Sequence, residues 1–258
     1  MREENSTIKS VTVCADDFGL SPGVNTAIAE LAEANQISAI SCLTGLPDWP
    51  ESARLLSPLL GRVDIGLHLD RSCPFLEQYR RFEAELGRPP DFVDGHRHCH
   101  ELPWRHAEVL ALLSLIPAPF YTRNTLVRGA VVCPWKTAIL SGLGGVWKRK
   151  VEALGIATND GFTGIYDWRK QNGRSAFEAF AQKIDGGRPL WMVHPGIPDS
   201  VLSARDPFVE GRQLEFNLLR DNFLARHGLR CVRFFGATTA RKTDHGLSTL
   251  PSPLASNR

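Results

Sequence analysis

The chain alternates short β-branched, apolar runs with longer segments whose apolar residues recur at helical spacing. Val24, Ile28 and Leu31 form one such helical stripe behind Ser21 and Pro22, a pair typical of a helix N-terminus. The alternation predicts strands over residues 11–15, 37–43, 63–67, 92–93, 120–122, 190–193 and 231–235. It predicts helices over residues 22–35, 49–60, 103–113, 134–154, 176–184 and 212–226.

Strands that alternate with helices indicate parallel βαβ units. About seven such strands in a chain of this length predict a single α/β domain, a TIM-like (β/α) barrel distorted from the usual eight strands. We assign residues 1–237 to this domain. Residues 238–258 are polar and contain several Ser and Pro, so we predict a disordered C-terminal tail.

Composition narrows the class of protein without changing this picture. The chain has 43% hydrophobic and 22% charged residues, as an ordinary globular domain does. Lys and Arg number 30 against 28 Asp and Glu, and they form no long basic run, which argues against a nucleic-acid partner. No apolar segment is long enough to span a bilayer, and the first ten residues lack a signal-peptide core. We therefore expect no membrane span and a cytoplasmic location, with a monomer or a homodimer left open.

The six cysteines are scattered along the chain and form no C-x-x-C pair. Disulfide frameworks are typical of short secreted chains, and zinc ribbons need closely spaced pairs. We therefore expect free, mostly buried thiols.

Polar side chains follow several predicted strands at the point where each strand ends. Asp16 and Asp17 follow the first strand, and His68 follows the third. The run from Asp94 to His100 follows a short fourth strand, and His194 follows a late one. Because the carboxyl ends of barrel strands meet on one rim, these distant residues can share one site.

The adjacent carboxylates Asp16 and Asp17 repel each other, so their placement after a buried strand favours a cation or strong hydrogen bonds beside them. In an extended chain successive side chains point in opposite directions, which predicts two different roles. One carboxylate can bind a metal while the other holds a proton or a water. The alternative is that the pair merely caps the helix that begins at Ser21 and Pro22.

The run D-G-H-R-H-C-H at residues 94–100 carries three histidines at alternating positions. If the run is extended, one face holds Asp94, His96, His98 and His100. Neutral imidazole is the commonest protein ligand for transition metals, so a metal site is favoured over a solvated loop or core histidines. His68 and His194 taken singly are more often structural, and they gain weight from their place on the same rim.

Four sequence motifs together resemble the YdjC-like carbohydrate deacetylases, which include chitooligosaccharide deacetylases and hopanoid-biosynthesis-associated homologues. These motifs are A-D-D-F-G-L-S at residues 15–21, G-L-H-L at 66–69, D-G-H-R-H-C-H at 94–100 and H-P-G at 194–196. They occur in the family's order and, with the first strand, extend over residues 11–196. The first and third motifs carry the specificity, because the other two are short and common.

The resemblance implies a barrel related to the polysaccharide deacetylases and one divalent metal ion, Mg²⁺ or Zn²⁺. It places Asp17, His68 and His96 as metal ligands and Asp16 as the general base. His194 is the candidate acid, with His100 second. The implied reaction is removal of an N-acetyl group from an acetylated amino sugar, within an oligosaccharide or a glycolipid.

Further residues are expected near the substrate or behind the ligands, namely Asp94, His98, His100 and Arg123. Gly95, Arg97 and Asp70 depart from the family's usual residues and bear on the substrate more than on the reaction. Exposed aromatic residues could stack on a sugar, the candidates being Trp104, Trp135 and Trp168, although most aromatic side chains serve the core.

Two other readings stay open. One is a different metal-dependent amidohydrolase or phosphoesterase on the same barrel. The other is a catalytically inactive protein that binds metal or sugar. The exact sugar, its chain length and the metal used in the cell do not follow from the sequence.

Overall fold

The computed structural model describes residues 8–167, 172–184 and 187–236. Most of its strands are buried on both faces, which explains why they read as continuous apolar runs rather than as alternating ones. The strands are β1 (Lys9–Phe18), β2 (Ala39–Cys42), β3 (Asp64–Leu69), β4 (Phe92–Gly95), β5 (Tyr121–Thr122), β6 (Ala157–Thr158), β7 (Gly161–Thr163), β8 (Pro189–Val193) and β9 (Leu229–Cys231).

All of the described strand pairs are parallel, and the sheet has the order β6-β5-β4-β3-β2-β1-β8-β7, with β9 added to the start of β1. The far ends of this order approach each other. Phe162 on β7 donates its backbone N–H to the Leu126 carbonyl at 3.1 Å, and it forms an isolated bridge with Val127 after β5. The sheet therefore curves into a distorted (β/α) barrel, as predicted.

Helices connect these strands and cover the outside of the sheet. They are α1 (Pro22–Glu33), α2 (Trp49–Arg54), α3 (Phe75–Leu86), α4 (His106–Leu113), α5 (Pro134–Glu152), α6 (Gly173–Lys183), α7 (Ser200–Arg205), α8 (Val209–Arg220) and α9 (Phe223–Arg226). Single turns of 3₁₀ helix cover Ser57–Leu59 and Pro103–Arg105, and a kinked one covers His96–Glu101. The predicted cap of α1 is confirmed, because the Ser21 hydroxyl accepts a hydrogen bond from the Val24 N–H at 3.2 Å.

The core has two layers. Inside the barrel, Phe92 and Tyr121 stack at 4.9 Å, and Phe234 stacks on Tyr121 at 3.8 Å. Outside it, Trp191 of β8 packs on Phe177 of α6 at 5.0 Å. The carboxyl ends of β1, β3, β4 and β8 carry the polar residues singled out from the sequence.

Several element boundaries differ from the prediction. The last strand is Leu229–Cys231, not residues 231–235, because the chain leaves the sheet after Cys231 and turns Phe234 into the barrel interior. The predicted helix 212–226 is two helices, broken at Asn222, which has a left-handed φ of 58°. The prediction missed α3, α7 and the very short β6 and β7.

Among the described residues no helix is both long enough and apolar enough to cross a membrane. All six cysteines are free, and four of them are buried, as expected. The predicted tail over residues 238–258 and the candidate Trp168 lie outside the described residues.

Candidate active site

A groove of about 380 Å³ opens at the carboxyl ends of the barrel strands. In the sheet His68 is level with Asp94, and Ala15 is level with Val193, so the residues that follow these strands emerge together. The polar groups lining the groove include Asp16, Asp17, His68, His96, His98 and His194. The predicted convergence of distant strand ends on one rim is thus observed.

Asp17, His68 and His96 form a group whose ligand atoms all lie within 4.8 Å of one another. The Oδ1 atom of Asp17 lies 3.3 Å from Nε2 of His68 and 2.8 Å from Nδ1 of His96. One carboxylate and two imidazoles are a common donor set for a divalent metal, and three protein ligands leave positions for water or substrate. We call this group the imidazole cluster.

The conformation of Asp17 explains why both adjacent carboxylates line one groove. Its φ is 69°, in the left-handed region, and the pairing of β1 with β2 is irregular between Ala15 and Phe18. The expectation that Asp16 and Asp17 point in opposite directions is therefore wrong, because it assumed an extended chain. A left-handed non-glycine residue is strained, and such strain is concentrated at functional sites. Capping of α1 is done by Ser21 instead.

His68 is held from behind by Asp94. Nδ1 of His68 lies 2.6 Å from Asp94 Oδ1, and the Ser41 hydroxyl lies 2.9 Å from the same nitrogen while donating to Asp94. A proton on Nδ1 leaves Nε2 turned toward Asp17 with its lone pair available, an arrangement typical of metal-binding histidines. Burial alone would lower the pKa of His68, but the surrounding carboxylates, Asp94 foremost, raise it to about 10. The carboxylates around His68 therefore stabilise a positive charge at this position, either a second proton on the ring or a cation bound at Nε2 in its place.

Asp16 is fixed by Arg123, which is fully buried beneath the groove. Nη1 of Arg123 donates to Asp16 Oδ2 at 2.7 Å, and Nη2 donates to Asp16 Oδ1 at 2.5 Å. Burial favours the neutral acid, but the guanidinium outweighs it and holds the pKa of Asp16 well below its usual range. Asp16 is therefore an ionised carboxylate with a fixed orientation.

Cys14, Asp16 and Asp94 form a second group with the spacing of metal ligands, again within 4.8 Å of one another. We call this group the carboxylate cluster. Arg123 occupies its centre, because Nη2 lies 2.5 Å from both Asp16 Oδ1 and Asp94 Oδ2 and 3.1 Å from the Cys14 sulfur. The positive charge that this cluster needs is thus supplied by a side chain.

Sequence analysis did not identify Arg212 of α8 as a site residue. Its Nη2 lies 2.5 Å from Asp17 Oδ2 and 2.5 Å from Asp206 Oδ2, and its Nε donates to the same Asp206 oxygen at 2.8 Å. Burial would raise the pKa of Asp17, but Arg212 and the two imidazoles hold it well below its usual range. Because Arg212 takes Oδ2, Asp17 presents Oδ1 to the histidines.

His194 also lines the groove, with its side chain 24% exposed and its Nε2 4.0 Å from Asp16 Oδ2. Its backbone N–H donates to Glu215 Oε2 at 2.5 Å, and the Tyr166 hydroxyl donates to Glu215 Oε1 at 2.6 Å. Burial raises the pKa of Glu215. Sequence analysis also did not identify Glu215 as a site residue. A signal was present, because Arg212 and Glu215 are charged residues within the apolar stripe of a helix.

The run of three histidines is not extended. After Asp94 the chain enters a 3₁₀ turn, and Arg97 and His98 take left-handed φ values of 51° and 57°. The expectation of one shared face is therefore wrong, and the three rings have different surroundings. The residue types in this run gave no indication of the left-handed backbone at Arg97 and His98.

Of the three rings, His96 and His98 reach the groove, whereas His100 does not. His100 is fully buried, donates from Nε2 to the Arg123 carbonyl at 3.0 Å, and meets Trp147 edge-on. Burial lowers the pKa of His100 to about 4. His100 therefore lies behind the site, as do Asp94 and Arg123.

The side walls and rim of the groove are mixed in character. They include Ile165, Tyr166 and Phe208, together with the cationic Lys136 and Arg205. Trp104 and Trp135 are 74% and 61% exposed, and neither is among the residues that line the groove. Asp70 turns away from the groove and accepts from the Ser72 N–H at 3.0 Å.

The geometry defines a (β/α)-barrel protein with a metal-competent Asp-His-His group in a groove at the strand ends. The model of the YdjC-like protein family matches residues 10–77 and 74–227 of the chain. The chain belongs to the YdjC-like family.

Relatives with established names share about a quarter of their residues with the chain. A carbohydrate deacetylase of Mus musculus is 26% identical over 243 residues, covering 73% of this chain and 78% of its own length. A carbohydrate deacetylase of Halalkalibacterium halodurans is 25% identical over 247 residues, covering 80% of this chain and 93% of its own.

A solved structure from Enterococcus faecalis V583, of a protein described as a candidate for cellobiose-phosphate cleavage, matches with a TM-score of 0.62. It is 17% identical, and the match covers 89% of this chain and 98% of the other. At this identity the likeness concerns the fold, and it agrees with the barrel described above.

Proposed function

We propose that the chain is a hydrolase that removes an N-acetyl group from an acetylated amino sugar, with one divalent metal ion held by Asp17, His68 and His96. The observation that carries the proposal is the imidazole cluster, which lies in the groove directly beside Asp16 and His194. The names of the relatives, carbohydrate deacetylases from a mammal and a bacterium, support the same reaction class.

The residues of the imidazole cluster fit a divalent ion. Asp17 is ionised, and Asp94 orients His68 so that Nε2 is directed toward Asp17. The donor set suits Zn²⁺ and also admits Mg²⁺ with additional water ligands. When bound there, such an ion would polarise the acyl carbonyl and favour ionisation of an attacking water.

Asp16 is the proposed general base. Its two bonds to Arg123 fix the carboxylate at the edge of the groove, and its low pKa keeps it ionised. A positioned proton acceptor contributes typically ~10²–10⁴-fold to such a reaction. Arg123 itself is buried, so its role is to position Asp16 rather than to contact substrate.

His194 is the proposed acid that gives a proton to the departing amine. Its ring lines the groove and is partly exposed, whereas His100 is enclosed. Glu215 fixes the backbone of His194 and is itself held by Tyr166. The proposed base Asp16 and the proposed acid His194 lie next to each other, with Asp16 Oδ2 and His194 Nε2 4.0 Å apart.

The substrate is proposed to be an N-acetylated sugar in an oligosaccharide or a glycolipid. A groove of about 380 Å³ that is open at the top of the barrel leaves room for an extended sugar chain. The cationic Lys136 and Arg205 at the rim offer hydrogen-bond donors to hydroxyl or acidic groups.

A panel of N-acetylglucosamine and chitooligosaccharides, assayed for acetate release with and without a chelator, tests the proposal. We expect acetate from at least one member, lost with chelator and restored by Zn²⁺ or Mg²⁺. Sugar binding without acetate release would instead support a binding protein and contradict the proposal. Activity that chelator leaves unchanged would contradict the metal dependence.

A two-metal phosphoesterase is the less favoured alternative. Such enzymes commonly hold metals ~3.5–4 Å apart. The second group of ligand-type side chains beside the imidazole cluster is the carboxylate cluster, and there the Arg123 guanidinium takes the place of a cation. A metal content of one ion per chain is therefore expected.

A further inference from the structure

Helix α5 exposes an apolar stripe to solvent. Trp135, Ile139 and Val146 are 61%, 58% and 45% exposed, and a side chain added at Gly142 would meet open space. The spacings of four, three and four residues place these positions on one face of the helix. The opposite face carries Trp147, which is fully buried. The side chains of this stripe therefore do not pack into the core of the domain.

The stripe lies on a helix with an excess of positive charge. Helix α5 carries four cationic residues, Lys136, Lys148, Arg149 and Lys150, and one acidic residue, Glu152, which pairs with Lys148 at 2.8 Å. Helical geometry places Arg149 and Lys150 on either side of the stripe at its C-terminal end. Lys148 is paired with Glu152, and Lys150 Nζ lies 3.2 Å from His106 Nδ1, whereas Arg149 makes no ion pair within the described parts of the chain. Apolar and cationic groups thus share one exposed face.

We propose that this face of α5, formed by Trp135, Ile139, Val146 and Arg149, docks on an anionic lipid surface. An apolar stripe flanked by Lys and Arg is the pattern of helices that lie in the membrane interface. Tryptophan is favoured there because its ring is apolar and its N–H reaches the headgroups. The cations match the negative surface potential of anionic lipids.

Helix α5 borders the groove, so docking through α5 also determines where the groove lies relative to the lipid surface. Lys136 and Leu140, in the first turns of the same helix, line the groove. A chain resting on a lipid surface through the α5 face therefore holds the groove entrance beside that surface. The docking itself does not depend on the proposed reaction.

A second copy of the chain fits the α5 face less well. Packing two such stripes together brings Arg149 and Lys150 of the two copies toward each other, and Glu152, the acidic residue of α5, is already paired with Lys148. Like charges brought together at an interface are unfavourable. The charge pattern therefore favours an anionic surface over self-association.

Co-sedimentation of the full chain with vesicles tests the inference. One set of vesicles is phosphatidylcholine alone, and the other is phosphatidylcholine mixed with phosphatidylglycerol. We expect binding to the mixed vesicles, weakened by added salt, and little binding to phosphatidylcholine alone. Arg149→Gln should weaken binding about fivefold. The double variant Trp135→Ser, Ile139→Ser should weaken it roughly tenfold or more, since two apolar side chains are lost from the interface.

Leu115→Ser is the matched control, because Leu115 is a 54% exposed apolar residue before β5, at the opposite end of the barrel from the groove. It should bind vesicles as the unchanged chain does, and all variants should keep the same thermal midpoint. Equal binding by the double variant and by Leu115→Ser would overturn the proposal, as would no binding to either vesicle. A concentration-dependent dimer that the double variant abolishes would assign the face to a second copy instead. No step of this assay requires a substrate, so failure here leaves the deacetylase proposal untouched.

Discussion

The imidazole cluster and the carboxylate cluster lie next to each other and differ in what supplies their positive charge. Each contains three side chains whose ligand atoms are within 4.8 Å of one another. In the imidazole cluster the three side chains line the groove. In the carboxylate cluster the buried guanidinium of Arg123 contacts all three side chains. Ligand types at the right spacing are therefore insufficient to define a metal site.

The two clusters are also linked. Asp94 contributes Oδ1 to the orientation of His68 and Oδ2 to Arg123, so one carboxylate serves both. The proposed division of labour follows, with metal binding in the imidazole cluster and proton transfer by Asp16 of the carboxylate cluster. Variants in one cluster should then affect one function much more than the other.

The largest expected effect is on turnover in Asp16→Asn. The amide keeps the size and one acceptor of the carboxylate but cannot take a proton, so we expect kcat to fall by ~10²–10⁴-fold. Metal affinity should stay close to that of the unchanged chain when measured by calorimetry. Asp70→Asn is the matched control, because the same chemical change is made outside the groove, and it should leave kcat nearly unchanged. Near-normal turnover in Asp16→Asn would remove Asp16 from the role of base.

Arg123→Met should lower the free energy of unfolding by about 3–5 kcal/mol, the usual effect of leaving a buried charge without its partner. Both Asp16 and Asp94 lose their guanidinium contacts in this variant. If Arg123 is what excludes a metal from the carboxylate cluster, the variant should also bind a second equivalent of Zn²⁺ and regain stability with it.

Urea unfolding with and without Zn²⁺, together with metal analysis, measures both effects. Arg123→Lys retains one charge and should lose less stability than Arg123→Met. If Arg123→Met fails to fold, Arg123→Lys provides a second, milder variant for the same measurements. A destabilised Arg123→Met chain that still binds only one ion would show that the carboxylate cluster is unfit for a metal even when it is open.

Asp94→Asn should weaken metal binding by roughly 10–100-fold, the usual effect of losing the outer partner of a metal-binding histidine. The change removes the charge that holds the Nδ1 proton of His68. Calorimetric titration with Zn²⁺ measures the affinity, and Asp16→Asn serves as the comparison from the same cluster. Equal metal affinities in the two variants would mean that Asp94 does not act through His68.

Much of this arrangement was predictable from the sequence. The apolar runs of β1, β3 and β8 and the capped stripe of α1 fixed the alternation of strands and helices, and hence the barrel. Polar residues directly after those strands then predicted the rim, because barrel topology brings strand ends together. The stripe of α3, formed by Phe75, Gln78, Tyr79 and Phe82, was present in the sequence and overlooked.

Other features had no readable signal. Strands β6 and β7 are two and three residues long, too short for a period to be recognised. The left-handed conformations of Asp17, Arg97 and His98 depend on tertiary contacts, so the directions of the carboxylate pair and of the histidine run were mispredicted. The pairing of Arg212 with Asp17 joins residues far apart in the chain and needs the folded structure.

The smallest expected effect concerns the thiol of Cys14 in the carboxylate cluster. Burial raises the pKa of Cys14 well above its ordinary value of 9.0, an effect that the nearby Arg123 offsets only in part. Because the thiolate is the nucleophile and the metal ligand, Cys14 should stay an unreactive thiol as the pH rises to about 9. Alkylation followed by mass spectrometry should modify the half-buried Cys73 in the native chain and leave Cys14 unmodified until urea unfolds it. Rapid native-state alkylation of Cys14 would mean that the carboxylate cluster is open to solvent, and the contrast between the two clusters would fail.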